Sequence, residues 1–220
     1  MFNFEEARTN MVDGQIHTSG VVSEGVLEAF QSVPRELFVP KALQNVAYTD
    51  EDLPLGEGRF LLEPAVHAKM VQAVEPKPSD VVLDIGGGTG YSAAILSPMV
   101  TTVVAVEESQ KYLNAAAKTW EELAVCNVVS FKGKLTKGSP EHAPFDLIFM
   151  NGAVSEIPGD IVAQLAMDGR LITIVKRPGE TMGDVTIVQS LGEGQFSSYN
   201  LFSAGSPYLP GFAPNPTFTF

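Results

Sequence analysis

The sequence predicts an α/β protein built on a doubly wound, mostly parallel sheet, with a C-terminal antiparallel hairpin and an N-terminal helical extension. Three observations predict this fold. Between residues 65 and 175, short β-branched apolar segments alternate with segments of helical periodicity. The first apolar segment runs into four glycines within five positions. Two later β-like segments are joined by Gly192-Glu193-Gly194, which favours a hairpin.

The chain ahead of the sheet predicts two helices, a turn and a long loop. Apolar residues recur at helical spacing over 3–15. A second helix is expected to begin at Ser23, whose hydroxyl can cap it, and to end before Pro34. Prolines bracket residues 33–40, which indicates a fixed element that is either extended or a turn. Residues 48–63 lack periodicity and contain glycine and proline, so a functional loop is expected there.

The elements of the core are expected in alternation. Strands are predicted at 81–85, 102–106, 128–132, 145–150, 171–175, 185–190 and 196–202, and helices at 65–74, 91–97, 109–123 and 157–166. The chain is interpreted as one domain, with a helical cap and loop over 1–64, the core over 65–202 and a proline-rich tail over 203–220. The aromatic residues of the tail are expected to pack over the sheet or beside the loop.

Composition excludes several classes of function. The chain has 220 residues, of which 45% are hydrophobic, and this suffices for one sizeable core. Its 14 basic and 26 acidic residues give a net charge of −12, which opposes nucleic acid or an anionic membrane as a partner. The single cysteine, Cys126, excludes an internal disulfide. The N-terminus lacks the apolar segment of a secretory signal, so the cytoplasm is the expected location.

The stretch 81–91 organises the rest of the chain. An apolar strand containing Asp84 leads into Gly86, Gly88 and Gly90, and a helix follows. Such a turn aims free backbone N–H groups at a ligand, at the carboxyl end of a central strand. Its spacing fits neither the dinucleotide fingerprint nor the phosphate loop. The remaining pattern, Asp-x-Gly-x-Gly-x-Gly, resembles motif I of the class I methyltransferases, which bind S-adenosylmethionine.

A further cofactor candidate is Glu107, which ends the next strand about twenty residues after Gly86. A carboxylate at this place can accept hydrogen bonds from both hydroxyls of a ribose. Its alternative role is a charge at the N-terminus of the following helix, worth up to about 1 kcal/mol. The strand end, the spacing and the glycine turn agree, and together they favour the ribose role.

Blocks spread in order over residues 8–175 resemble the protein-L-isoaspartate O-methyltransferases. They include Met11-Val12-x-x-Gln15-Ile16, residues 33–40, Ala47-Tyr48-x-Asp50, Leu53-Pro54-Leu55-Gly56, Phe145-Asp146-Leu147-Ile148 and Gly169-Arg170-Leu171. The resemblance implies a class I methyltransferase fold, S-adenosylmethionine as cofactor, and a protein or peptide partner whose isoaspartyl carboxylate accepts the methyl group. That carboxylate is already anionic at neutral pH, so positioning is the main task and neither a general base nor a metal is required.

Two places depart from the family pattern. The family loop reads G-Q-T-I-S-Q-P, and the resemblance gives its serine the role of orienting the acceptor. Here the aligned stretch carries the acceptor-loop candidates Arg59, Phe60 and Leu62, with Leu62 in place of the serine. After the third strand, the family has an aspartate that accepts from adenine. This chain has Lys134, followed by Leu135, and a lysine can only donate.

The departures leave three interpretations open. The chain is an isoaspartyl methyltransferase in which Arg59 pairs with the acceptor carboxylate, a methyltransferase for a different acceptor, or a binding or scaffold protein without turnover. The expected cofactor-binding residues are Asp84, Gly86, Gly88, Gly90, Glu107, Lys134 and Leu135. No metal site is expected, because His17, His67 and His142 lack metal-ligand spacing. The oligomeric state is left open.

Overall fold

The computed structural model describes residues 2–214 and contains a seven-stranded sheet and a separate two-stranded hairpin. The hairpin consists of β1 (Leu53–Gly56) and β2 (Arg59–Leu61). The sheet consists of β3 (Val81–Ile85), β4 (Thr102–Glu107), β5 (Val128–Lys132), β6 (Phe145–Val154), β7 (Leu165–Val175), β8 (Gly183–Gly192) and β9 (Gln195–Ala204). The α-helices are α1 (Phe4–Met11), α2 (Glu24–Ser32), α3 (Pro64–Ala73), α4 (Tyr91–Leu96), α5 (Gln110–Glu122) and α6 (Gly159–Val162).

The strand order of the sheet is β5-β4-β3-β6-β7-β8-β9. The first five strands in this order are parallel, and β8 and β9 pair antiparallel to their neighbours. This confirms the predicted doubly wound sheet and its C-terminal hairpin. The chain order reverses on either side of β3, and ligands of open α/β sheets bind at such a switch point.

Both faces of the central strands β3, β4 and β6 are buried, as parallel strands require. On β6, Leu147 and Phe149 join one apolar cluster with the N-terminal helices, whereas Ile148 and Met150 join a second cluster on the opposite face. This alternation follows from the two-residue period of side chains along a strand. The polar edge at the carboxyl ends of the strands therefore lies between two apolar clusters.

The N-terminal extension packs on the first of these clusters. The Asn3 side chain caps α1 by accepting a hydrogen bond from the backbone N–H of Glu6. Helix α2 begins after Ser23, which is its N-cap residue as predicted, but the predicted capping bond from the Ser23 hydroxyl is absent. Instead, the Gln72 side chain of α3 accepts from the backbone N–H groups of Val22 and Ser23 at 2.7 and 2.9 Å. This long-range contact fixes the residues just before α2 and does not cap its first turn.

The proline-bracketed stretch 33–40 holds a short 3₁₀ turn, as expected. Its Arg35 is fully buried, and its guanidinium donates to the carbonyl oxygens of Ala47 and Leu62 at 2.7 and 2.8 Å. A buried charge needs such partners, and these bonds fix the turn against the hairpin that follows. The extension is therefore tied to the elements that surround the glycine turn.

Two predicted elements are wrong in detail. Residues 48–63 are not a plain loop, because β1 and β2 pair within them. The helix expected over 157–166 is limited to α6, and β7 already begins at Leu165, which pairs with Phe145. Pairing with β6 overrides the local helical periodicity there. Over residues 2–214, no helix combines the length and the apolar character needed to span a membrane.

Candidate functional site

The glycine turn lies between β3 and α4, at the carboxyl edge of the sheet. Gly86, Gly88 and Gly90 have φ values of +73°, +56° and +89°, in the left-handed region that glycine adopts without strain. A Cβ atom on Gly90 would lie 2.5 Å from Cζ2 of Trp120, so this position also has no space for a side chain. The sequence prediction of a tight turn here is confirmed.

Asp84 lies beneath the turn and is almost completely buried. Its Oδ1 accepts from the hydroxyl of Ser92 and from the amide of Asn151, both at 2.7 Å. Its Oδ2 lies 2.5 Å from where a Cβ atom of Gly87 would be. Burial raises the pKa of the Asp84 carboxyl to about 6, and the bonds from Asn151 and Ser92 oppose that shift. Asp84 therefore braces the turn from inside the protein.

Glu107, the expected ribose acceptor, lies at the end of β4 and is 3% exposed. Its two carboxylate oxygens accept from Nε and Nη2 of Arg59 at 2.8 and 2.7 Å. The oxygen Oε1 also accepts from the backbone N–H groups of Glu108 and Ser109. The carboxylate is thus in the predicted place, and groups of this chain already satisfy it.

Arg59 reaches Glu107 from β2, so the structure unites two candidates that the sequence analysis assigned to different roles. The hydroxyl of Tyr112 on α5 holds the hairpin by donating to the carbonyl oxygens of Leu55 and Gly56, at 2.9 and 2.8 Å. Cδ1 of Leu55 lies 2.8 Å from where a Cβ atom of Gly88 would be. The hairpin therefore rests directly on the glycine turn.

The other two acceptor-loop candidates lie elsewhere. Phe60 is half-buried on β2, and Leu62 is 3% exposed within the apolar cluster below the hairpin. The carbonyl of Leu62 accepts from Arg35, as described above. Its side chain is therefore part of the apolar core, at the position where the family pattern has serine.

The adenine-side candidates lie at the end of β5. Lys134 is exposed, whereas Leu135 is fully buried and its Cδ1 lies 3.2 Å from where a Cβ atom of Gly86 would be. The backbone N–H of Leu135 donates to Oε1 of Glu108 at 3.0 Å. Leu135 is thus an apolar wall of the turn, and Lys134 projects from the surface beside it.

The tail segment, defined here as residues 206–212, crosses the same edge of the sheet. Its backbone bonds on both sides of Ala153, which donates to the carbonyl of Pro207 at 3.0 Å and accepts from Leu209 at 2.8 Å. The side chain of Leu209 contacts Gly86 and Gly152. Of the aromatic residues predicted to pack over the sheet, Phe212 is buried in the second apolar cluster, and Phe218 and Phe220 lie outside the described residues.

Sequence reasoning missed four residues of the site: Ser92, Trp120, Asn151 and Leu209. Asn151 carried a usable signal, because it is a polar residue deep in a strand that leads to the switch point. Trp120 and Leu209 carried none, since each meets the turn through a contact distant in sequence. Such contacts depend on the completed fold.

No cluster of three or more metal-ligating side chains occurs within residues 2–214. His67 is buried among the rings of Phe30, Tyr91 and Phe149, and no hydrogen-bond partner reaches either ring nitrogen in this part of the chain. Burial, and to a smaller degree the charge of Arg35, lowers the pKa of His67 to about 3. It is a neutral core residue.

This pKa predicts an acid-sensitive contribution to stability. Between pH 6.5 and about 3, the unfolded chain protonates this histidine while the folded chain does not, so stability falls as the pH is lowered through that window. Between pH 7 and pH 5, the loss from His67 should be about 2 kcal/mol. We expect His67→Leu to lack this loss in urea unfolding at the two pH values. The raised pKa of Asp84 makes its contribution to stability change in the opposite direction with pH, but this contribution is the same in both proteins and cancels in the comparison. An equal pH dependence of stability in the two proteins would contradict the lowered pKa of His67.

The fold and this edge define a class of protein. A glycine turn after the central strand, an acidic residue after the neighbouring strand and an antiparallel C-terminal hairpin are the features of a class I methyltransferase. The sequence model of the protein-L-isoaspartate(D-aspartate) O-methyltransferases matches residues 6–203. The chain therefore belongs to this family.

Individual relatives support this family assignment. The chain is 42% identical over 175 residues to a protein-L-isoaspartate O-methyltransferase of Methylorubrum extorquens, covering 79% of this chain and 76% of that one. It is 36% identical to protein-L-isoaspartate O-methyltransferase 2 of Pelobacter propionicus, covering 94% and 91%. A solved protein-L-isoaspartate O-methyltransferase superposes with a TM-score of 0.79 at 26% identity, covering 93% of this chain and 66% of that chain. A putative Plasmodium falciparum homologue, with a TM-score of 0.75, 18% identity and coverage of 93% and 97%, shares the fold.

Family membership makes the chain a methyltransferase that uses S-adenosylmethionine, so the glycine turn can be tested for its fit to that molecule. Small-ligand pockets usually measure about 300–1,000 Å³. The cavity between the turn, Glu107 and Trp120 measures about 10 Å³. The framework residues are present, but Arg59 occupies both carboxylate oxygens of Glu107 and Leu209 lies over Gly86, so this conformation does not fit the cofactor. A cavity of about 530 Å³ lies between α6 and β8–β9, and the glycine turn does not line it.

Proposed function

We propose that this chain methylates the free carboxylate of isoaspartyl residues in proteins or peptides, with S-adenosylmethionine as methyl donor. One observation carries the proposal: the buried Glu107 carboxylate lies beside a tight glycine turn, at the switch point of the sheet. The relatives named for this activity align with most of the chain, and the Plasmodium falciparum structure is a complex with S-adenosyl-L-homocysteine. These matches support the same ligand and acceptor here.

The proposed roles follow from where the residues lie. Gly86, Gly88 and Gly90 shape the turn, and Asp84 braces it from below. Glu107 is the acceptor for two ligand hydroxyls, because a carboxylate accepts through both oxygens and each of them now accepts from Arg59. On the adenine side, Leu135 supplies an apolar wall and Lys134 a donor at the rim.

The reaction requires little of the protein other than positioning of the two reactants. When bound, the cofactor supplies an electrophilic methyl group, and the acceptor carboxylate is already anionic at neutral pH. The chain must orient that carboxylate and exclude water from it. The cation on the acceptor loop is Arg59, which can hold a carboxylate through two parallel N–H groups.

Transfer of labelled methyl groups to a matched pair of peptides tests the proposal. We expect labelling of the isoaspartyl peptide and none of the aspartyl control. In Gly88→Val, we expect the rate of labelling to fall about 100-fold or more, because a displacement of the reacting groups by about 1 Å lowers the rate by that factor. The added Cβ atom would lie 2.8 Å from Leu55, at a φ of +56°. Equal labelling of both peptides would contradict the assignment. Cofactor binding without labelling of either would favour a different acceptor.

We further propose that the enzyme works in the cytoplasm on isoaspartyl proteins. The one cysteine, Cys126, is exposed and free, as suits a reducing compartment. Fractionation of the cells that produce this protein, followed by the methylation assay on each fraction, tests the location. Activity confined to an extracytoplasmic fraction would contradict it.

A further inference from the structure

The cofactor site is closed from two sides by this chain. The hairpin lies on the glycine turn through Leu55 and Arg59, and the tail segment 206–212 lies on it through Leu209. The small cavity beside the turn, about 10 Å³, is lined by Gly88, Glu107 and Trp120 but by neither Arg59 nor Leu209, and it is no larger than a single water requires. A nucleotide-like ligand that bonds Glu107 and lies over Gly86 must therefore displace Arg59 and Leu209.

Arg59 occupies the place of the ligand hydroxyls at Glu107. Two hydroxyls of a ribose would donate to the same carboxylate oxygens that now accept from Nε and Nη2 of Arg59. Both side chains of this pair are 3–4% exposed, and Oε1 already accepts from two backbone N–H groups. The guanidinium and a ribose are therefore alternative partners of one carboxylate.

The tail segment closes the other side and holds the hairpin. Cδ2 of Leu209 lies 2.9 Å from where a Cβ atom of Gly86 would be, and Cδ1 lies 3.7 Å away, so Leu209 fills the space above the turn. Its neighbour Pro210 has Cγ 2.9 Å from the corresponding position on Gly58, between β1 and β2. The segment is anchored to β6 through Ala153 and through Ser155, whose N–H donates to the carbonyl of Phe212 at 2.9 Å. Leu209 and Pro210 thus connect the sheet edge to the hairpin that carries Arg59.

We propose that Arg59 and the tail segment form an autoinhibitory closure, in which Arg59 competes with the cofactor ribose for Glu107. The cofactor enters when Arg59 leaves Glu107 and Leu209 leaves the turn. The inference rests on the proposed function for the identity of the ligand. The apparent affinity of a ligand falls by the fraction of molecules in the competent state, so a site that is open one tenth of the time binds about tenfold more weakly.

Calorimetric titration with S-adenosylhomocysteine tests the closure on the full chain. Two variants open it independently: Arg59→Gln removes the bidentate cation but keeps one donor for Glu107, and Leu209→Ala leaves the ion pair untouched. We expect each to bind about tenfold or more tightly than the unaltered protein. Arg170→Gln is the matched control, because Arg170 forms a comparable pair with Asp80, at 2.7 Å, away from the turn. Its affinity should stay within about twofold of the unaltered protein.

Trp120 gives a second readout that needs no ligand. It is the only tryptophan of the chain, it lines the small cavity, and its indole N–H donates to the carbonyl of Gly90 at 2.9 Å. At 5% exposure, its fluorescence should resist acrylamide in the unaltered protein. We expect stronger quenching in Arg59→Gln and Leu209→Ala, and unchanged quenching in Arg170→Gln.

The outcomes separate the closure from the proposed function. Equal, tight binding by the unaltered protein and both variants would overturn the closure and leave the function standing. Tighter binding by the variants, with no transfer to the isoaspartyl peptide by either the unaltered protein or Leu209→Ala at saturating S-adenosylmethionine, would support the closure and overturn the proposed acceptor. If none of the proteins binds S-adenosylhomocysteine, both proposals fail.

Discussion

Gly90→Val is expected to lower the free energy of unfolding by about 4 kcal/mol, from backbone strain and overpacking of about 1–3 kcal/mol each. Gly90 has φ +89°, which a β-branched residue adopts only under strain. The new Cβ atom would lie 2.5 Å from Cζ2 of Trp120 and 2.9 Å from Cβ of Ala116. Relieving that overlap moves the indole away from the carbonyl of Gly90, to which it donates. Urea unfolding at neutral pH measures the loss.

Gly194→Val separates the two causes. Gly194 lies in the turn between β8 and β9 with φ +73°, and nothing within residues 2–214 comes within 4 Å of an added Cβ atom. This variant should therefore lose only the strain term, about 1–3 kcal/mol. An equal loss in both variants would show that contact with Trp120 adds nothing at Gly90.

The parts of the site that could be predicted are those encoded in short stretches. The glycine turn follows from residues 81–91 alone, because strand, turn and helix start are adjacent in sequence. Glu107 follows from the next strand end and a known distance along the chain. Parallel strands bring their carboxyl ends to one edge of a sheet. The glycine turn and Glu107 can therefore be predicted to lie close together without knowledge of the remaining fold.

The contacts that close the site could not be predicted in this way. Arg59 and Glu107 are 48 positions apart, and the sequence analysis gave Arg59 to the acceptor and Glu107 to the cofactor. Leu209, which lies near the C-terminus, contacts Gly86 although the two residues are far apart in sequence. Leu62 aligns with a serine of the family pattern, whereas packing in the apolar cluster of the N-terminal extension makes it a core residue. Each of these outcomes depends on tertiary contacts that leave no periodic trace in the sequence.

The Arg59–Glu107 pair should show strong coupling in a double-mutant cycle with Arg59→Met and Glu107→Gln. Glu107→Gln keeps an oxygen for the backbone N–H groups of Glu108 and Ser109 but leaves the buried guanidinium without a counter-charge. Removing one member of a buried pair costs about 3–5 kcal/mol. Arg59→Met should cost less, because Glu107 keeps those two backbone donors. Urea unfolding of the four proteins gives the coupling energy.

The sign of the second step is the decisive feature of this cycle. Adding Arg59→Met to Glu107→Gln removes the stranded charge and replaces it with an apolar side chain of similar length, so the double variant should be more stable than Glu107→Gln alone. We expect a coupling energy of about 2–3 kcal/mol, against the 1 kcal/mol or less of exposed pairs. That coupling is also the interaction that a ribose must replace at Glu107. A coupling below about 1 kcal/mol would mean that Arg59 leaves at little cost and cannot keep the site closed.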